Sequence, residues 1–272
     1  MLFIKLLKVG GRLLPQFSAN ISMLFREYDF LERFEAAKDS GFGAVEIQFP
    51  YEFLARDLLA EKENSGLEIS VFNIGVGDLL TGGPGIAAIP GREDLFKAAV
   101  EQAFLYAEML HPLNINVLPG WPPLDQFERR HCLDVLANNL KYAADRLVPT
   151  GAKVLVEACN TYDRPGFLIH TSEQAIELIT KVDHENVAFQ YDLYHMQIME
   201  GNLINRMKEI RSYIGHIQFA DTPGRHEPGS GEINFPSVFA ALDSMNWQGW
   251  VGAEYNPSRR TPETLDWLQP YL

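Results

Sequence analysis

Eight short apolar runs, each followed by a longer stretch of helical periodicity, succeed one another from about residue 17 to the end of the chain, and no other feature restricts the fold as tightly. The runs are FSANIS (17–22), GAVEIQF (43–49), LEISVFN (67–73), NINVL (114–118), KVLVEA (153–158), NVAFQYD (186–192), GHIQFAD (215–221) and GWVGAEY (249–255). The clearest helical patterns between them are YDFLERFEAAKDSG (28–41), REDLFKAAVEQAFLYAEML (92–110), LDQFERRHCLDVLANNLKYAADRL (124–147) and SEQAIELITKV (172–182). Gly41 is placed to close the first, and Thr171 or Ser172 to cap the last. Strict alternation of strand and helix implies a parallel sheet. Eight such units in about 255 residues fit a single-domain α/β fold, a closed (β/α)8 TIM barrel, better than the alternative of an open doubly wound sheet. No break in composition marks a second domain, so the barrel is expected over residues 17–272. Residues 1–16 read as a poorly ordered leader. Lys5 and Lys8 interrupt their apolar run and no small-residue cleavage site follows, which argues against a secretion signal.

Composition removes several classes of function. A formal charge of -13, with no basic stripe to offset it, repels a phosphate backbone, so no nucleic acid partner is expected. The two cysteines, Cys132 and Cys159, form no CxxC pair or other zinc or redox spacing, and a reducing cytoplasm suits them. No stretch approaches the ~20 apolar residues of a membrane helix. Oligomeric state is not encoded legibly, and a homo-oligomer is compatible with everything above.

In a barrel of this kind the chemistry lies at the C-terminal strand ends, on the face that also carries the Gly/Pro-rich loops 74–91 and 220–233. Period-two alternation then says which polar side chains point inward. In KVLVEA, Val154 and Val156 share one face while Leu155 and Glu157 share the other; an outward Glu157 would be buried under helices without a partner. The same count aligns Asp192 with Gln190 and Ala188, Gln218 with His216, and Glu254 with Gly252 and Trp250. Glu157, Asp192, Gln218 and Glu254 thus cap four successive strands from the inside. Three acids converging there repel one another unless a cation compensates. With an amide oxygen they form a hard, all-oxygen set that favours Mg2+ or Mn2+ over zinc. The bland alternative is that each merely caps the helix after its strand.

These residues stand in the segments YDLYHMQIMEGNL (191–203), IGHIQFADTPGRHEPGSGEINF (214–235) and GWVGAEYNP (249–257), supported by FSANISMLFREYDFLERFEAA (17–37), VEIQFPY (45–51) and AAIPGRE (87–93). The chain from Phe17 onward resembles the hydroxypyruvate isomerase family of the xylose isomerase-like barrel superfamily. The resemblance implies Glu157 and Glu254 as catalytic glutamates, and Glu157, Asp192, Gln218 and Glu254 as metal ligands. It implies interconversion of hydroxypyruvate and tartronate semialdehyde, with a small keto acid as the partner molecule. Related ketose epimerases carry a histidine where Gln218 stands, so the amide leans toward the isomerases. Departures lie near the substrate: after Glu157 the order is Ala158, Cys159, Asn160 where the family usually reads Pro-Ile-Asn, and Leu79 and Pro84 align with a usual Trp and Arg.

Four further residues are candidates for substrate binding. His195, three residues beyond Asp192, can donate to a substrate oxygen, or be a solvated helix-cap histidine. Arg225, in the loop after the seventh strand, can hold the substrate carboxylate, or pair within its loop with Glu227 or Glu232. Glu46 and Asn73 cap inward strand positions and can orient hydroxyls or simply bond to the framework. His216, one layer below Gln218, is expected to support a ligand rather than be one. Gly229 and Gly231 form no phosphate fingerprint and read as loop flexibility. The runner-up function is isomerisation or 3-epimerisation of a longer keto acid or ketose such as 2-oxo-tetronate. A non-catalytic sugar-acid binder needs no second glutamate, and an apurinic-site endonuclease would want histidine ligands for zinc and a basic groove.

Overall fold

The computed structural model describes residues 8, 9, 12, 13 and 15–272. The rest of the leader reading lies outside the described residues. Lys8–Val9 pairs antiparallel with Arg12–Leu13, and the barrel begins at Gln16.

Eight parallel strands close on themselves: β1 Gln16–Asn20, β2 Ala44–Ile47, β3 Glu68–Asn73, β4 Asn114–Val117, β5 Lys153–Glu157, β6 Val187–Asp192, β7 Ile214–Phe219 and β8 Trp250–Ala253, with β8 bonded to both β7 and β1. The helices are α1 Arg33–Asp39, α2 Ala55–Ser65, α3 Glu93–Leu110, α4 Arg129–Leu147, α5 Ser172–Val182, α6 Leu193–Met199, α7 Leu203–Glu209 and α8 Phe235–Ser244. Two short 3-10 turns, Thr261–Thr264 and Asp266–Tyr271, follow β8 in place of a long final helix.

α5 matches its expected span, and Thr171 accepts from the Gln174 amide at 3.3 Å as its cap. α1 is shorter than its pattern. Arg33 donates to the carbonyls of Tyr28 and Ile21, so the segment before it stays in turns. α4 starts five residues late because Pro123 opens a turn that takes the Gln126 and Phe127 amides.

Alternation divides the strands as predicted. Outward Val154, Val156, Phe189 and Ile217 are buried under the helices. Phe17, Phe219, Phe239 and Trp267 form edge-on contacts around 5 Å that seal the β1/β7/β8 side. Inward, the floor of the barrel is apolar, with Val71, Leu155 and Ala188 in contact. Polar groups share the interior with it, among them Ser18 and Ser70, whose hydroxyls lie 2.6 Å apart. The barrel therefore holds a buried hydrogen-bonded platform beneath its open end.

Candidate active site

Glu46 on β2 is fully buried, accepting from His216 Nε2 at 2.6 Å, Gln218 Nε2 at 2.8 Å and Asn20 Nδ2 at 3.2 Å. It is not among the residues that line the cavity described below, and its hydrogen bonds go to framework groups. His216 is its partner, and through Glu46 it stands one hydrogen bond away from Gln218. A Cβ on Gly252 would fall 1.8 Å from Glu46 Oε1, so only glycine lets β8 pass this carboxylate. Gly252→Ala is expected to cost about 1–3 kcal/mol or more, because the displaced acid is buried and paired; a melting temperature equal to that of the parent would refute the close approach.

Above this platform, Glu157, Asp192 and Glu254 converge from β5, β6 and β8, each presenting an oxygen within 4.8 Å of the others. Each acid divides its two oxygens. Glu157 Oε2 accepts from Asn116 (2.9 Å) and Gln190 (3.0 Å), Asp192 Oδ1 caps α6 through the Tyr194 amide (2.8 Å), and Glu254 Oε1 accepts from Asn20 and Gln48 (both 3.0 Å). The second oxygen of each is turned to the shared space beside His195 and Arg225. Asp192 thus caps a helix and joins the site at once. Gln218 is drawn into the framework, its oxygen accepting from Gln190 at 2.6 Å and its nitrogen donating to Glu46. One lone pair of that oxygen remains to ligate.

Burial raises all three acids. Glu157 is pushed well above the usual carboxylate range by desolvation and then by Glu254 and Asp192. Desolvation lifts Asp192 to about 7 against the pull of Arg225, and Glu254 rises for the same reason. Arg225 is their counter-charge, 2.5 Å from Glu254 Oε2 and 3.5 Å from Asp192 Oδ2, with its guanidinium over the Tyr194 ring. It does not pair with Glu227, which binds Ser258 instead. Its loop is organised by buried Asp221, which accepts the amides of Thr222, Gly229, Gly231 and Ile233 at 2.9–3.0 Å. Gly231 serves close approach rather than flexibility, since a Cβ there would lie 2.2 Å from the Thr222 carbonyl.

His195 is buried in the first turn of α6, not solvated. Its Nδ1 faces two donors of Asn160, the backbone N–H at 3.2 Å and Nδ2 at 2.7 Å, so Nδ1 accepts and Nε2 carries the hydrogen. Burial, with Arg225 and Arg164 nearby, holds the ring well below the ordinary imidazole range, and it is neutral. Nε2–H points toward Glu157 (3.9 Å) and Asp192 (3.6 Å) as a donor. The neighbouring set of Glu157, Cys159 and His195 is therefore a poorer cation site than the three acids, since the imidazole offers no lone pair and burial keeps the Cys159 thiol protonated.

A cavity of about 90 Å³ opens over these groups, floored by Glu157 and Glu254 and flanked by Asn73, His195, Arg225 and Trp121. Asn73 lines it while accepting from Asn116 at 3.1 Å. Sequence reasoning missed Asn20, Gln48, Asn116, Asn160 and Arg164. The first three continue the inward alternation of their strands, so the same count that found Glu157 points to them. Asn160 and Arg164 lie in an irregular loop where no periodicity applies.

A buried cluster of carboxylates at the mouth of a closed parallel barrel defines the class. A family profile described as xylose isomerase-like TIM barrel matches residues 34–271, and the chain belongs to that family. Within it, the chain is an enzyme of the isomerase branch. It is similar to hydroxypyruvate isomerase of Escherichia coli, 44% identical over 256 residues covering 94% of this chain and 99% of the relative. It is also similar to 2-oxo-tetronate isomerase of Pectobacterium atrosepticum, 41% identical over 260 residues, covering 95% and 98%. A crystal structure from Brucella melitensis, described as an AP endonuclease of family 2, superposes with a TM-score of 0.91 at 41% identity, covering 95% of this chain and 99% of that one.

Proposed function

We propose that this chain interconverts hydroxypyruvate and tartronate semialdehyde (2-hydroxy-3-oxopropanoate) by proton transfer between adjacent carbons. One observation carries the reading. Glu157 and Glu254 enter a single small cavity from different strands, each held by two amide donors on one oxygen and turning the other into the shared space, where that of Glu254 meets Arg225. Moving a carbonyl to the neighbouring carbon requires a proton to leave one carbon and return to the next, and two such carboxyl groups supply a base and an acid. Burial raises both carboxyls above the ordinary carboxylate range, so each holds a proton more readily than it would in water. The His195 Nε2–H donates to a substrate oxygen, and Arg225 keeps the acid cluster from repelling an anionic substrate.

The three acids also suit a divalent ion. They are hard oxygen donors, mutually repelling and buried, so Glu157, Asp192 and Glu254, with the Gln218 oxygen, would hold Mg2+ or Mn2+. When bound, such an ion supplies Lewis acidity that stabilises negative charge on nearby oxygens.

The 2-oxo-tetronate reading has its own support. A volume of about 90 Å³ holds roughly six to nine waters, comparable to a three- or four-carbon acid. Arg164 and Arg225 also line an adjoining groove into which a longer chain could extend. A zinc nuclease fits less well, because His195, the histidine beside Glu157 and Asp192, is a hydrogen donor. Among the described residues no helix is long and apolar enough to cross a membrane, and Cys132 and Cys159 are free and buried, which suits the cytoplasm.

The test is solvent exchange. Protein, Mg2+ and hydroxypyruvate, or 2-oxo-tetronate, are incubated in heavy water and followed by NMR, with deuterium expected at the carbon that exchanges its proton. Absence of label from both acids would sink the isomerase reading.

A further inference from the structure

We propose that Arg164 is the residue that captures the substrate carboxylate and thereby sets specificity for acids over neutral sugars. The inference deepens the proposed function and rests on its anionic substrate.

Two cations line the cavity, Arg164 and Arg225. The charge of Arg225 is already matched, since its guanidinium contacts Glu254 and Asp192 and lies in the acid cluster. Arg92, the cation of the long loop after β3, is tied to Asp78 at 2.8 Å and to the Gly85 carbonyl, and that loop gives the cavity only Leu79 and Leu80. Arg164 differs from both. Among the described residues its guanidinium has no ion pair or hydrogen bond, and its charge is felt by His195 and Cys159 at the cavity wall.

The loop carrying Arg164 is held in place. Asn160 accepts the Asp163 amide at 2.7 Å and donates to Asp163 Oδ2 at 3.0 Å; Tyr194 donates to the same oxygen at 2.6 Å. Asp163, the nearest acid in sequence, is thus engaged away from Arg164. The Arg164 backbone is bonded on both sides, its amide to Asn160 and its carbonyl to the Phe167 amide. A protein of charge -13 with three acids at its site needs an unmatched local cation to hold an anion, and a guanidinium fork suits a carboxylate. A short acid with its carboxylate on Arg164 would lie in the cavity that Glu157 and Glu254 also line.

The experiment compares wild type, Arg164→Gln and Arg164→Lys, loaded with Mg2+, by steady-state kinetics on hydroxypyruvate and by calorimetric binding of tartronate, an unreactive acid of similar size. Arg164→Gln is expected to raise KM and weaken tartronate about a hundredfold while kcat stays within about threefold, with partial recovery in Arg164→Lys. Arg164 is exposed, so melting temperature should not move. KM and tartronate affinity within threefold of wild type in Arg164→Gln would overturn the proposal, as would a wild type that binds neither acid. Arg164-dependent binding without turnover would uphold the anion site and defeat the isomerase reading instead.

Discussion

Glu157→Gln and Glu254→Gln are each expected to lower kcat by about three to four powers of ten, with the fold intact. Glutamine keeps an oxygen for the donors that hold each acid: Asn116 and Gln190 at position 157, Asn20 and Gln48 at position 254. Only the outward oxygen changes, from a group that takes and returns a proton to an NH2 that does neither. Glu254 and Asp192 both raise the proton affinity of Glu157, and Glu254 that of Asp192, so removing one charge also relieves repulsion. Melting temperatures at or above wild type, measured with EDTA, should therefore accompany the lost activity in Glu157→Gln. At position 254 the gain is offset by the broken contact with Arg225. Steady-state kinetics together with thermal melts separate the two effects, and activity within tenfold of wild type in either variant removes that residue from the proton relay.

The site was legible wherever a strand carried it. A period of two is a rigid rule, so Leu155 and Glu157 share the inner face as counted, and the register sets Glu157 beside Gln190 and Asp192 beside Gln218. The fold was legible for the same reason, since eight alternating units leave few ways to close. What alternation cannot give is depth. Glu46 and Gln218 lie inward as expected, yet their partners, His216 below and Gln190 beside, tie them into a platform, and only the three-dimensional stack shows that Glu46 stops short of the cavity. Loops were illegible for another reason. Arg225 reaches Glu254 because Asp221 gathers four amides into a fixed turn, and Asn160 sets the His195 tautomer across thirty-five residues of sequence. Neither contact has a spacing that a one-dimensional pattern could encode.

Chelation is expected to remove nearly all activity, on the order of a thousandfold or more, restored by Mg2+ or Mn2+, since the Lewis acidity of such an ion is worth several kcal/mol of barrier. The same treatment should expose a pH dependence of stability. In the unfolded chain the acids titrate near 4, whereas in the fold burial holds Asp192 to about 7 and moves Glu157 and Glu254 in the same direction. Raised carboxyls mean that the folded state binds more protons than the unfolded state above about pH 4, so stability of the chelated protein falls as pH rises through about 7. Arg225 moderates this fall without abolishing it, because one guanidinium faces three acids. A divalent ion binds the anions and displaces their protons, so its stabilising effect should grow in the opposite sense, small near pH 5 and large near pH 8. Thermal melts with EDTA or with excess Mg2+ across about pH 5 to 8 read the gap directly. A gap that is absent, or that narrows toward alkaline pH, would mean that the three acids are balanced from within the protein and that the cluster is no cation site.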